Sequence, residues 1–129
     1  MQTITLLRVE NARSGRGIYQ DIVDGVYDDV PDDGPQNRPM AYGDLELIRR
    51  FGDSFDPIGV AKQRWGDAQH AFASMTQLLR WWKHTSLQRM RDDGARLCVY
   101  VVPCDRAIVG DTQVLFDPAS VIATYELEV

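Results

Sequence analysis

Only two cysteines, Cys98 and Cys104, and two histidines, His70 and His84, occur in the 129 residues. That scarcity removes several chemistries at once. Two thiols are too few for a secreted disulfide scaffold, and neither has a histidine at metal-ligand spacing, so both read as core or strand-end thiols. The histidines lie 14 residues apart with no Cys, Asp or Glu spacing of a zinc site or a nucleophilic triad, and they read as surface or helix-flanking residues. No run approaches the ~18 apolar residues of a membrane span, and the start "MQTITLLRVENARSGRG" lacks a basic region, apolar segment and small-residue cleavage site. The expectation is a cytoplasmic protein with no membrane partner. "SGRG" lacks the further glycine and lysine of a phosphate-binding loop, and no metal site is expected.

What the chain has is charge of one sign, unevenly placed. The formal net charge of −5 argues against direct DNA binding, which needs clustered Lys and Arg. Asp21, Asp24, Asp28, Asp29, Asp32 and Asp33 crowd into "DIVDGVYDDVPDDG", while Arg80, Lys83, Arg89, Arg91 and Arg96 follow much later. Residues from about 21 to 44, rich in Asp, Pro and Gly, read as one long surface loop. Loops of that length in compact domains are often functional. The loop lacks the alternating oxygen ligands, central Gly and closing Glu of a calcium site. Asp28, Asp29, Asp32 and Asp33 are therefore candidate partner-binding residues.

The length suits one domain with its own core. Apolar and β-branched composition predicts strands over 3–9, 97–103, 108–109, 112–116 and 120–128, with "RLCVYVVP" as a central strand covered on both faces. Asp44 caps a short helix in "YGDLELIRRF", ended by Gly52. Ser74 with Gln77 forms a capping box for a helix carrying Leu78, Leu79, Trp81 and Trp82; Thr85 with Gln88 repeats the signal for a second helix closed at Gly94. The fold class is α+β, a mostly antiparallel sheet packed by two or three short helices. Adjacent tryptophans on a helix point about 100° apart, so if Trp82 joins the core, Trp81 moves to its edge and becomes a candidate for a pocket or interface.

The early strand with an arginine, "LLRVE", a glycine turn leading to "GIY", the Ser-capped "FASMTQLLRWW" and the late "GDTQVLFD" resemble, in order, the framework of the ADP-ribosyltransferase fold. That resemblance implies Arg8, Gly17, Tyr19 and Ser74 as the NAD-binding positions. It puts Gln113 where the family carries a glutamate before an apolar strand, with Asp111 two residues earlier as a substitute carboxylate. An amide keeps a hydrogen bond to a ribose but cannot offset charge growing on an oxocarbenium-like sugar. The whole string, with "GRGIYQD", an "F-x-S" before an aromatic helix and "QVLF" near the end, also resembles small proteins of tailed phages and prophages. Together these imply an accessory protein on a degenerate transferase-like scaffold, located in the bacterial host cytoplasm. It would act by binding a host protein, possible outcomes being inhibition of a defence complex, and would require no cofactor. The alternatives are an NAD-dependent mono-ADP-ribosyltransferase and an acidic mimic of nucleic acid; oligomeric state stays open.

Overall fold

The computed structural model describes residues 1–18, 21, 23, 44–54 and 56–127. The Asp-rich segment that carries Asp28, Asp29, Asp32 and Asp33 lies outside those residues, as does Tyr19.

Strand β1 (Thr3–Asn11) pairs antiparallel with β3 (Ala95–Pro103) along its whole length, from Thr3 opposite Pro103 to Asn11 opposite Ala95. The other edge of β3 takes β6 (Ala123–Leu127), with Leu97 opposite Leu127 and Val101 opposite Ala123. A second antiparallel sheet holds β2 (Gln69–Ala71), β5 (Val114–Phe116) and β4 (Ala107–Val109), with β5 in the middle. The two sheets meet at one bridge. Leu7 and Phe72 exchange both backbone hydrogen bonds at 2.7 Å, so the strands follow one another as β6-β3-β1-β2-β5-β4 across that join. The architecture is α+β, with two small antiparallel sheets and four short helices.

Side chains alternate along β1. Leu7 and Val9 face a cluster of Phe72, Leu78, Trp82, Leu87, Met90 and Leu97 beneath helices α3 (Met75–Trp81) and α4 (His84–Asp92). Leu6 faces the other way, onto Ala71, Val102, Val114 and Phe116. A third cluster packs α1 (Leu45–Arg50) and α2 (Pro57–Trp65) through Leu47, Phe51 and Ala61 against Leu115 of β5.

The doubly covered strand is β5, not β3. All three residues of β5 are buried because Leu115 points at α1 and α2 while Val114 and Phe116 point at the inter-sheet cluster. In β3, Val99, Tyr100 and Val101 are only half-buried, because α4 covers just the Leu97 end. The cap at Ser74 forms as expected, its Oγ accepting from the Gln77 amide at 3.2 Å. The cap at Thr85 does not: the N-cap lies two residues earlier, at Lys83, with α4 starting at His84 and no side-chain cap bond. Helix α2 and strand β2 are additions to the sequence reading. Asp56 caps α2 and Pro57 occupies its first turn, where a missing N–H costs nothing.

Candidate functional site

Because Leu6, Arg8 and Glu10 alternate with Leu7 and Val9, the two charged side chains of β1 leave the sheet on the same face as Leu6. Register places Arg8 opposite Cys98 and Glu10 opposite Arg96. Glu10 is 1 % exposed, and the carboxylate is served from several sides. Arg96 donates from Nε at 2.8 Å and Nη2 at 2.6 Å to Oε1, and the Cys98 thiol lies 3.4 Å from the same oxygen. The Tyr100 hydroxyl donates to Oε2, and Arg8 Nε stands 3.5 Å from it. Burial, then the carboxylate, pushes the Cys98 thiol up to about 11 and raises the Tyr100 phenol further still. Both therefore remain protonated donors at neutral pH.

Arg8 runs onward from this cluster to the second sheet. Its Nη1 donates to the backbone carbonyl of His70 at 2.7 Å, and a Cβ added to Gly17 would lie 3.0 Å from Nη2. Gly17 is thus a close-approach residue for the guanidinium, a role its place in the glycine turn allowed for.

His70 is the meeting point. Its ring Nδ1 is 2.5 Å from Gln113 Oε1, Gln113 Nε2 is 3.5 Å from Thr112 Oγ1, and the Thr112 hydroxyl donates to Asp44 Oδ2 at 2.9 Å. Asp44 also accepts from the amides of Leu47, Asp111 and Thr112, at 3.1, 3.0 and 2.9 Å. Burial works to raise its pKa, but the backbone bonds outweigh it and hold the carboxyl below its ordinary value. Gly110 permits this anchor to close: a Cβ there would collide with the Asp44 carboxylate and with Leu47.

The candidate residues separate into three groups. Arg8 and Gln113 converge on His70, one through its carbonyl and the other through its ring, but both are closed off, at 6 % and 1 % exposure. An arginine turned to Glu10 and a backbone carbonyl, and an amide turned to a histidine, do not present those atoms to a ribose. Ser74 is exposed at the start of α3 and joins them only indirectly. Gln77 of that helix donates from Nε2 to the carbonyls of Gly110 at 3.0 Å and Asp111 at 3.2 Å. Asp111 lies in the bend before β5, exposed, and so is not a strand neighbour of Gln113. Trp81 is half-buried against Phe72 and Trp82, with ring centroids 5.8 and 6.0 Å away, while Trp82 is buried in the core.

His70 itself corrects the sequence reading. It belongs to β2 and is partly exposed rather than a surface or helix-flanking residue. Burial lowers its pKa, and Arg8 and Lys62 add to that against the hydrogen bond to Gln113. Thr112 and Glu10 were not singled out, although Glu10 stands in the quoted "LLRVE". Their signal is alternation: Arg8 and Glu10 fall on one face of β1, and Arg96, Cys98 and Tyr100 alternate onto the same sheet face of β3. Cys98 is buried and Cys104 exposed, both as free thiols. Among the described residues, no cluster of three or more His, Cys, Asp or Glu could hold a metal ion, and no helix is long and apolar enough to cross a membrane.

No curated protein and no solved structure matches this chain. The family described as "Bacteriophage T4 Y00F protein" matches residues 1–129, and the chain belongs to that family of small phage proteins.

Proposed function

We propose that the protein acts in the infected bacterium by binding a host macromolecule, and that it does not turn over NAD. The observation that carries this reading is the closure of the Arg8–His70–Gln113 cluster: Arg8 turns to the His70 carbonyl and Gln113 to the His70 ring, both side chains are buried, and Gln113 supplies no charge to an oxocarbenium-like sugar. Membership of a phage family gives the host setting. The density of carboxylates at Asp28, Asp29, Asp32 and Asp33 supplies a long-range field for a basic partner, and the half-buried Trp81 supplies the kind of aromatic area that anchors interfaces. Interference with a host defence complex is the consequence we favour.

The test has two arms. The purified protein is incubated with millimolar NAD and nicotinamide release is followed; release above the buffer rate would overturn the binding reading in favour of mono-ADP-ribosyl transfer. In infected cells, a photo-crosslinker at Trp81 should capture one host protein, and the double variant Asp28→Asn, Asp29→Asn should slow its association in a salt-dependent way. Capture of nucleic-acid-binding proteins whose DNA affinity the phage protein abolishes would favour the mimic reading instead.

A further inference from the structure

Among the described strands, β6 has a neighbour on one edge only: it pairs with β3, and its outer edge closes the sheet on that side. Such an edge presents alternate backbone N–H and C=O groups to any chain that can lie alongside it. The usual defences are missing. The five residues Ala123–Leu127 contain no proline and no lysine, and their register with β3 runs without a bulge from Ala123 opposite Val101 to Leu127 opposite Leu97. Of the large apolar side chains exposed among the described residues, Ile122, Tyr125 and Leu127 crowd at this edge, at 55, 60 and 40 % exposure.

Alternation sorts the strand into two faces. Ala123, Tyr125 and Leu127 share the face of Val101, Val99 and Leu97, while Thr124 and Glu126 share that of Tyr100 and Cys98. Helix α4 covers only the Leu97 end of the first face, so half-buried Val99 and exposed Tyr125 form an apolar strip that runs to the edge and stops there. A strand that continues this strip must bring an apolar or aromatic side chain opposite Tyr125 and no negative charge opposite Glu126. β6 itself meets both conditions. In two antiparallel copies related by a two-fold axis perpendicular to the sheet each side chain keeps its face, so the axis must pass through a residue. Through Tyr125 it sets Tyr125 against its twin, Ala123 against Leu127 and Thr124 against Glu126, using every position of the strand. Through Glu126 it sets two carboxylates directly opposite, which destabilises a cross-strand pair. Through Thr124 it puts Ile122 against Glu126 and carries Leu127 past the end of its partner strand.

We propose that β6 pairs with β6 of a second copy, antiparallel and centred on Tyr125, joining the two sheets into one across a dimer. The joint is short and each copy carries a net charge of −5. An interface at the low end of the size range, ~1,200 Å² or less, makes a weak and concentration-dependent dimer. The pairing does not depend on which host macromolecule the protein binds.

Sedimentation equilibrium of the intact protein, from micromolar to several hundred micromolar, should show a reversible monomer–dimer equilibrium. Tyr125→Lys sets like charges opposite each other and removes the aromatic pair, and is expected to weaken association about tenfold or more. Tyr125→Phe should keep it within about twofold, and circular dichroism should show both variants folded, as suits a largely exposed side chain. Register is read by disulfide formation in a Cys104→Ser background, which removes the exposed native thiol. Tyr125→Cys would face its twin with Cβ atoms about 4.5–5.5 Å apart and should crosslink, whereas Thr124→Cys and Glu126→Cys would stand diagonal to theirs at about 7–8 Å and crosslink far more slowly. A chain that stays monomeric across the range, a folded Tyr125→Lys variant that associates as well as the natural one, or equal crosslinking at the three positions would each overturn the proposal; the first of these would leave the edge to a strand of another protein.

Discussion

Replacing Glu10 by glutamine tests whether the buried cluster is held by charge or merely by shape. The substitution keeps the volume and one acceptor oxygen, but it removes the carboxylate that faces Arg8 and Arg96 and turns an amide donor toward donors. Arg8 has a side chain only 8 % exposed and cannot reach water, whereas Arg96, at 32 %, can swing outward. Removing one partner of a buried pair costs about 3–5 kcal/mol because a charge is left buried and uncompensated. With Arg96 able to relax, the lower end is expected, about 3 kcal/mol, or roughly 10 °C in Tm for a chain of this size. Urea unfolding followed by the fluorescence of Trp65, Trp81 and Trp82 reads this as a lower midpoint with unchanged slope. The double variant Glu10→Leu, Arg8→Met removes both charges at once and should recover most of the loss, since a packed apolar pair is often as stable as a buried ionic one. A loss below about 1 kcal/mol for Glu10→Gln, or a double variant worse than the single one, would refute an electrostatic origin.

Ser74→Ala removes the oxygen that accepts from Gln77 and should cost about 1 kcal/mol by thermal or urea unfolding; a change of a few tenths would mean α3 holds its start by packing alone. Cys98 is pushed from 9.0 to about 11 in the folded protein, so the folded state keeps a proton that the unfolded state releases. Stability should be full below pH 9 and drain as pH rises through about 11, and Cys98→Ala should flatten that slope in pH-dependent urea titrations. Gln113→Glu places a carboxylate against His70 Nδ1 and should raise the histidine pKa, visible by NMR; because the side chain stays buried, nicotinamide release from NAD should not rise.

Elements with strong local grammar were legible before the structure. Asp44 and Ser74 announce their helices because a cap is a backbone bond made by a near neighbour, and β1 and β3 because a run of β-branched residues suits a sheet. The missed elements have weaker local signals. Strand β2 is three residues long, too short for alternation to register, and α2 opens with proline and has glycine in its first turn. Thr85 misled because a capping pattern is only potential until the chain's path decides where the helix begins. Among the candidate residues, Arg8 and Gln113 do meet, but the group that joins them is His70, 62 residues from Arg8 and 43 from Gln113. Sequence spacing carries no information about such a meeting. The closed state of the cluster was equally invisible, since whether an amide faces a ligand or a neighbouring ring depends on packing across the two sheets.

The pairing of β1 with β3 has a consequence for how the chain comes to be folded. Glu10 and Tyr100, held together in that ladder, are 90 residues apart. At a synthesis rate of about 5–20 residues per second, the first strand would leave the ribosome roughly 5–20 seconds before its partner. Until then, β1 has on its other edge only the bridge from Leu7 to Phe72, and the nine positions of its long ladder stand without their partner strand. Closing so large a loop precedes any reward from the ladder, which slows folding and leaves the waiting strand open to wrong partners. In a cell crowded with newly made phage protein, the first strand is the part of this molecule that most needs shelter while the rest is being made.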